Sequence, residues 1–200
     1  MIRLPENFET FDEAKKRGFI KIMDMKRKAG KKVVGVFCSF TPVELILAAG
    51  AIYVSLCGSG EDGIAFAEQH LPKNLCPLIK SSYGLAASDS CPYFYFSDMI
   101  LAETTCDGKK KMYELMGQLK PTHIMQLPQN VSAGLSEEMW LVEIYRAKEA
   151  IEKMLDVQIT EKALREAIHQ KNLERQEMVR LYEIGKLKPC PCLLYTSRCV

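Results

Sequence analysis

VVGVFCSFTPVELILAAGAIYVSLC, residues 33–57, is the stretch from which the fold follows. VVGVFCS (Val33 to Ser39) is a short apolar, β-branched run of the kind buried on both faces of a parallel sheet. Thr41, Pro42 and Glu44 supply an N-cap, a proline at the first helical position and a capping-box carboxylate. VELILAAG then reads as a helix closing at Gly50, and AIYVSLC (Ala51 to Cys57) as a second strand. Strand, helix and strand in immediate succession make a crossover unit whose two strands run parallel.

The same rhythm continues in both directions. Upstream, Thr10 to Lys28 forms a basic amphipathic helix with Phe11, Ala14, Phe19, Ile22 and Met25 as its apolar stripe, ended by Gly30. Downstream, residues 58–97 make a long crossover expected to hold two short helices broken at Pro72 and Gly84. DMILAETT is a third strand and DGKKKMYELMGQL a helix. Pro121 stops that helix before a fourth strand, HIMQLPQ. The expected strands span 33–38, 51–57, 98–104 and 122–127. The fold class is α/β: a parallel, four-stranded, Rossmann-like sheet with flanking helices.

Beyond Asn130 the pattern becomes helical. Ser136 is expected to cap a long helix with the stripe Trp140, Ile144, Ala147, Ile151 and Met154. Thr160 and Glu161 start another that runs to about Gly185, and the two are expected to form an antiparallel pair. The chain thus divides into an N-terminal helix (1–30), an α/β domain (31–133), a helical bridge (134–188) and a truncated tail (189–200). The closing LLYTSRCV looks like translated adapter sequence, so Cys192 and Cys199 are discounted as native residues and Cys190 in part.

Composition narrows the chemistry. A net charge of +2 implies no broad basic face for nucleic acid. The start lacks the apolar core of a signal peptide, and no apolar run reaches the roughly 18 residues of a membrane span, so a cytoplasmic protein is expected. Eight cysteines in a reducing compartment favour metal or thiol chemistry over disulfides. With only three histidines, mixed Cys/His zinc sites and histidine bases are disfavoured.

In an open parallel sheet, ligands bind outside the carboxyl ends of the strands. Cys38 follows the first strand, Cys57 the second and Cys106 the third, while Cys76 and Cys91 lie in the long crossover. Five cysteines therefore map to one sheet edge. No CxxC pair is present, which excludes zinc ribbons, thioredoxin-like dithiols and the bacterial ferredoxin run. Cys76 and Cys91 each precede a proline, which sets the chain direction just past the sulfur. Cys106 precedes a helix N-terminus, where the macrodipole favours a thiolate. Lys109, Lys110 and Lys111 occupy that helix's first turn, the wrong end for cations unless an anionic group sits beside it. Glu103 could line the site or pair with a lysine. Tyr93 to Phe96 are expected to pack over the sheet, and His70 and His123 to be loop or core residues.

FCSFTPVELILAAGA, LPKNLCPLIKSSYG, DSCPYFYFSD, ETTCDGKKKMYE and IMQLPQ together resemble the 2-hydroxyacyl-CoA dehydratase component family, and most closely its double-cubane-cluster branch. The resemblance covers residues from about 5 to about 191. It implies a second α/β domain beyond the helical bridge, missing from this chain, and an iron–sulfur cluster (4Fe-4S, or the 8Fe-9S double cubane) held by cysteines of both domains. The match to NLCP carries a ligand role to Cys76, TTCDGKK to Cys106 and DSCPYF to Cys91; Cys38 and Cys57 are weaker candidates. Lys109, Lys110 and Lys111 are the candidates for electrostatic tuning. The implied enzyme is a dehydratase or reductase component, incomplete as a fragment. It would accept low-potential electrons from an ATP-hydrolysing activator and pass them to a small-molecule substrate, as a homodimer or with a homologous subunit. The residues alone leave two alternatives open: an electron-transfer or cluster-carrier protein without turnover, and a thiol-rich zinc protein.

Overall fold

The structure is a computed structural model, described here for residues 13, 17–58, 60–132 and 134–188. It contains α1 (Gly18–Ala29), β1 (Val33–Val36), α2 (Val43–Ala48), β2 (Ile52–Ser55), α3 (Ile64–Ala67) and α4 (Pro77–Ala87). There follow α5 (Pro92–Phe96), β3 (Met99–Glu103), α6 (Asp107–Met116), β4 (Thr122–Met125), α7 (Ser136–Leu155) and α8 (Glu161–Ile184). The four strands pair all-parallel in the order β2-β1-β3-β4. All four fall where the sequence places them, one or two residues shorter at their carboxyl ends.

Every residue of β1 and β3 is buried, as expected of central strands covered on both faces. Successive side chains alternate between two apolar layers. Ile100 and Ala102 join Phe37, Tyr83, Met112 and Tyr113 on one side. Met99 and Leu101 join Ile46, Met125, Ala147 and Ile151 on the other. At the amino edge Asp98 accepts from the Val33 backbone N–H at 2.8 Å and from Lys26 Nζ at 2.9 Å, tying α1 to the sheet.

Several local expectations give way to tertiary contacts. Thr41 does not cap α2; its hydroxyl donates back to the Phe37 carbonyl, and Pro42 occupies the cap position. Glu44 instead meets Arg175 of α8. Ser136 is the first residue of α7 and donates to the Asn130 carbonyl rather than capping the helix. Thr160 caps α8 as expected, accepting from the Ala163 N–H at 3.2 Å. The two long helices do not chiefly pack on each other: α7 lies on β4 and α2, and α8 on α2. In α7 the inward stripe ends on Leu155, with Met154 turned out. Phe11 and Ala14, like residues 189–200, lie outside the described residues.

The long crossover holds three helices instead of two, and Gly84 lies inside α4 rather than ending it. Its role is close approach. A Cβ on Gly84 would stand 1.8 Å from the carbonyl oxygen of Gly63, so α4 and the start of α3 can touch only without a side chain there. Gly84→Ala is expected to cost roughly 3 kcal/mol or more, because the obstructing atom is backbone and cannot rotate away. Urea denaturation checks this; a loss below about 1 kcal/mol would mean that the backbones separate freely.

Candidate functional site

The strand order places the topological switch point between β1 and β3: from β1 the chain goes to one neighbour, then crosses over to the other. The loops leaving these two strands form the crevice in which such sheets bind ligands. One carries Cys38 and the other Cys106.

Cys38 has a left-handed backbone, φ 61°, which non-glycine residues seldom adopt. Its half-buried sulfur receives a hydrogen bond from Lys109 Nζ, and the ammonium also sits 6.0 Å from the Phe37 ring centroid. Lys109 is only 7% exposed. Burial pulls a lysine downward. The bond to Cys38 and the negative charge of Cys38, Cys57 and Cys106 outweigh it and hold Lys109 above the ordinary lysine value. Lys109 is therefore a cation kept inside the site. Its neighbours are not: Lys110 pairs with Asp107 at 2.7 Å and Lys111 with Glu114, both on the exposed side of α6. Of the three candidate tuning residues, the helix turns one inward and leaves two in solvent.

Cys76, Cys91 and Cys106 stand at the N-cap positions of α4, α5 and α6. An N-cap faces the helix's unpaired backbone N–H groups, which suit an anionic sulfur. Cys91 uses one of them, its Sγ accepting from the Phe94 N–H at 3.4 Å. The first turns of α4 and α6 lie against each other at Gly108, where a Cβ would come within 2.8 Å of Ile79 and 2.9 Å of Leu75. The glycine of DGKKK thus brings the Cys76 and Cys106 caps to one side of the domain. Cys91 shares a cavity of about 290 Å³ with Cys57, not with Cys76 or Cys106. Cys57, Cys76 and Cys106 are exposed. Among the described residues, no three Cys, His, Asp or Glu side chains stand together as a metal-binding group.

Beneath the sulfurs, Glu103 is fully buried and accepts from the Thr105 N–H at 2.8 Å and from the Thr105 hydroxyl. It shapes the turn into Cys106 rather than pairing with a lysine. Tyr113 is equally buried, its hydroxyl without a partner among the described residues. Burial first, and then the charge of Cys38, drive its phenol far above the usual value. Phe94 packs into the core, whereas Tyr95 is exposed. His70 packs between the Phe66 and Tyr83 rings, tilted to one and edge-on to the other, and burial pushes the His123 imidazole below its ordinary value.

Two features are not legible in the sequence. Lys80, 6% exposed, donates to Glu68 and to the Lys73 carbonyl at 2.7 Å each, which fastens the loop leading to Cys76 onto α4. A lysine embedded in the apolar PLIKSSYGLAA is the one local signal for it. The second is a cavity of about 610 Å³ between the loops after β1, β3 and β4 and the start of α7, lined in part by Trp140. Helical periodicity makes Trp140 a packing residue and gives no sign of the cavity.

The family model described as 2-hydroxyglutaryl-CoA dehydratase, D-component, matches residues 38–197. The chain is 50% identical over 186 residues to YjiM of Escherichia coli (strain K12), provisionally named as part of a dehydratase; the match takes in 93% of this chain and 48% of that protein. It is 24% identical to the lactoyl-CoA dehydratase subunit beta of Anaerotignum propionicum, over 81% of this chain and 42% of that one. It is 27% identical to the (R)-phenyllactyl-CoA dehydratase beta subunit of Clostridium sporogenes, over 74% and 39%. The chain thus spans about half or less of these curated relatives. Among the described residues no helix is long and apolar enough to cross a membrane.

Proposed function

Because this chain belongs to the 2-hydroxyglutaryl-CoA dehydratase D-component family, we propose that it is the cluster-bearing part of a dehydratase- or reductase-type subunit. In this reading the subunit takes low-potential electrons from an ATP-hydrolysing activator and delivers them to a small substrate. The observation that supports it is the set of thiols after the strands: Cys38, Cys57 and Cys106 follow β1, β2 and β3, Cys76, Cys91 and Cys106 stand on helix N-caps, and the Lys109 ammonium is buried beside Cys38. Thiolates without histidine are the donor set of an iron–sulfur cluster. A buried cation and free backbone N–H groups suit its negative charge.

Cys76, Cys91 and Cys106 would hold the cluster, with Cys38 and Cys57 as secondary candidates and the remaining ligands from outside the described residues. When bound, the cluster supplies one-electron chemistry at low potential. The residues of this chain do the rest. Lys80 holds the Cys76 loop, Gly108 lets two capped helices meet, Glu103 sets the turn into Cys106, and Lys109 neutralises charge.

Metal and acid-labile sulfide analysis of anaerobically prepared protein tests the reading. Iron and sulfide in comparable amounts, without zinc, are expected. Stoichiometric zinc without sulfide would overturn it in favour of a zinc protein. Turnover of an acyl-CoA in the presence of the activator would separate an enzyme component from an electron carrier.

A further inference from the structure

The function proposed above leaves one buried polar group beside the sulfurs without a task. Tyr113 is 0% exposed, and its hydroxyl has no hydrogen-bond partner among the described residues. Water satisfies a phenol in the unfolded chain, so burying it unpaired costs stability. A phenylalanine would fill the same space without that cost. An unpaired buried hydroxyl of this kind calls for an explanation.

Its surroundings supply one. Tyr113 follows Lys109 by one helical turn on the buried face of α6. Its ring lies 5.4 Å from that of Phe37, and the Lys109 ammonium sits 6.0 Å from the same Phe37 ring. Phe37 leads directly into Cys38, which packs against the apolar layer that holds Tyr113 and whose sulfur receives the Lys109 hydrogen bond. Phenol and ammonium thus lie against one aromatic ring, on the side of the sheet that carries Cys38. Glu103 Oε1 is a second buried atom without a partner, and the structure does not bond the two to each other. Burial, and after it the negative charge of Cys38, Glu103, Cys57 and Cys106, pushes the phenol far above the ordinary tyrosine range. At working pH the group keeps its proton and can donate it in a hydrogen bond.

We propose that the Tyr113 hydroxyl donates a hydrogen bond to an anionic sulfur of the bound cluster, on the Cys38 side of the site. That the sulfur belongs to a cluster rests on the function proposed above; the buried, unpaired hydroxyl does not. The bond strengthens as the sulfur gains negative charge, so it favours the reduced form, and the phenol is satisfied only when the site is filled.

Tyr113→Phe tests this in two states of the protein. In iron-free protein the urea midpoint is expected to stay level or rise, because only an unpaired hydroxyl is removed. Tyr53→Phe is the control: the Tyr53 hydroxyl accepts from Lys171 Nζ at 3.1 Å, and its loss should lower the midpoint. In iron-loaded protein Tyr113→Phe should lower the equilibrium constant for one-electron reduction by about fivefold, ~40 mV at 59 mV per tenfold. Proton ENDOR of the reduced sample should lose an exchangeable coupling at the same time. A Tyr113→Phe midpoint that falls like the control would overturn the proposal, because the hydroxyl would then have a protein partner. An unchanged potential with an unchanged proton coupling at full iron content would also overturn it, and leaves the cluster reading standing. Protein that binds no iron would end both readings, and the iron assay tells that outcome from the other two.

Discussion

Cys76→Ala and Cys106→Ala, each introduced singly into the protein and purified without oxygen, are expected to lose most of their bound iron and sulfide. Both thiols are exposed N-caps, so truncation opens no core cavity and the thermal transition should hardly move. A cluster, by contrast, cannot replace a missing thiolate with backbone. Cys91→Ala should behave similarly, with an added modest cost from the Phe94 N–H that its sulfur now satisfies. Colorimetric iron and sulfide assays beside circular-dichroism melting separate the effects. Full iron retention in Cys106→Ala would remove the central ligand assignment.

Lys109→Gln is expected to lower the reduction potential of the bound cluster by on the order of 50–100 mV, while Lys110→Gln and Lys111→Gln leave it nearly unchanged. The sign follows from charge. Reduction adds an electron to an already anionic group, so a nearby cation favours the reduced form and its loss makes reduction harder. The magnitude follows from burial. Lys109 is held inside, against Cys38, where its charge is poorly screened. The other two ammoniums face water and their own carboxylate partners, and mobile ions screen such charges within about 10 Å. EPR-monitored redox titration of the three variants is the measurement. Equal small shifts in all three would mean that the turn acts as a diffuse basic surface, and an unshifted Lys109→Gln would end its role as a tuning group. Because pairing holds Lys109 above its ordinary value, its charge is fully present below pH 10.5 and is lost only as pH rises through the raised value. The difference between variant and parent should accordingly be flat across the neutral range.

Strand positions, parallel pairing and the placement of Cys38, Cys57 and Cys106 just after three strands were legible in the chain. They depend on short-range physics: β-branched runs alternating with helix-forming segments, punctuated by Gly30, Gly50 and Pro121. Once the strand–helix rhythm is known, topology places every strand's carboxyl end on the same side, and the cysteines follow. What could not be read was which groups meet. Three consecutive lysines look alike along the chain. One faces Cys38 because the register of α6 on the sheet, fixed by buried Met112, Tyr113 and Met116, turns Lys109 inward. Thr41 and Ser136 carry cap chemistry, yet carbonyls brought close by the loops claimed their hydroxyls. Gly84 has the composition of a breaker and serves as a contact, because Gly63 arrives from another segment. The cavity beside Cys106 joins loops that follow three different strands, and no local pattern encodes their convergence. Side-chain period and turn chemistry act over a few residues and so can be read in sequence order. Pairing across dozens of residues is decided by how the layers pack, and that exists only in the folded chain.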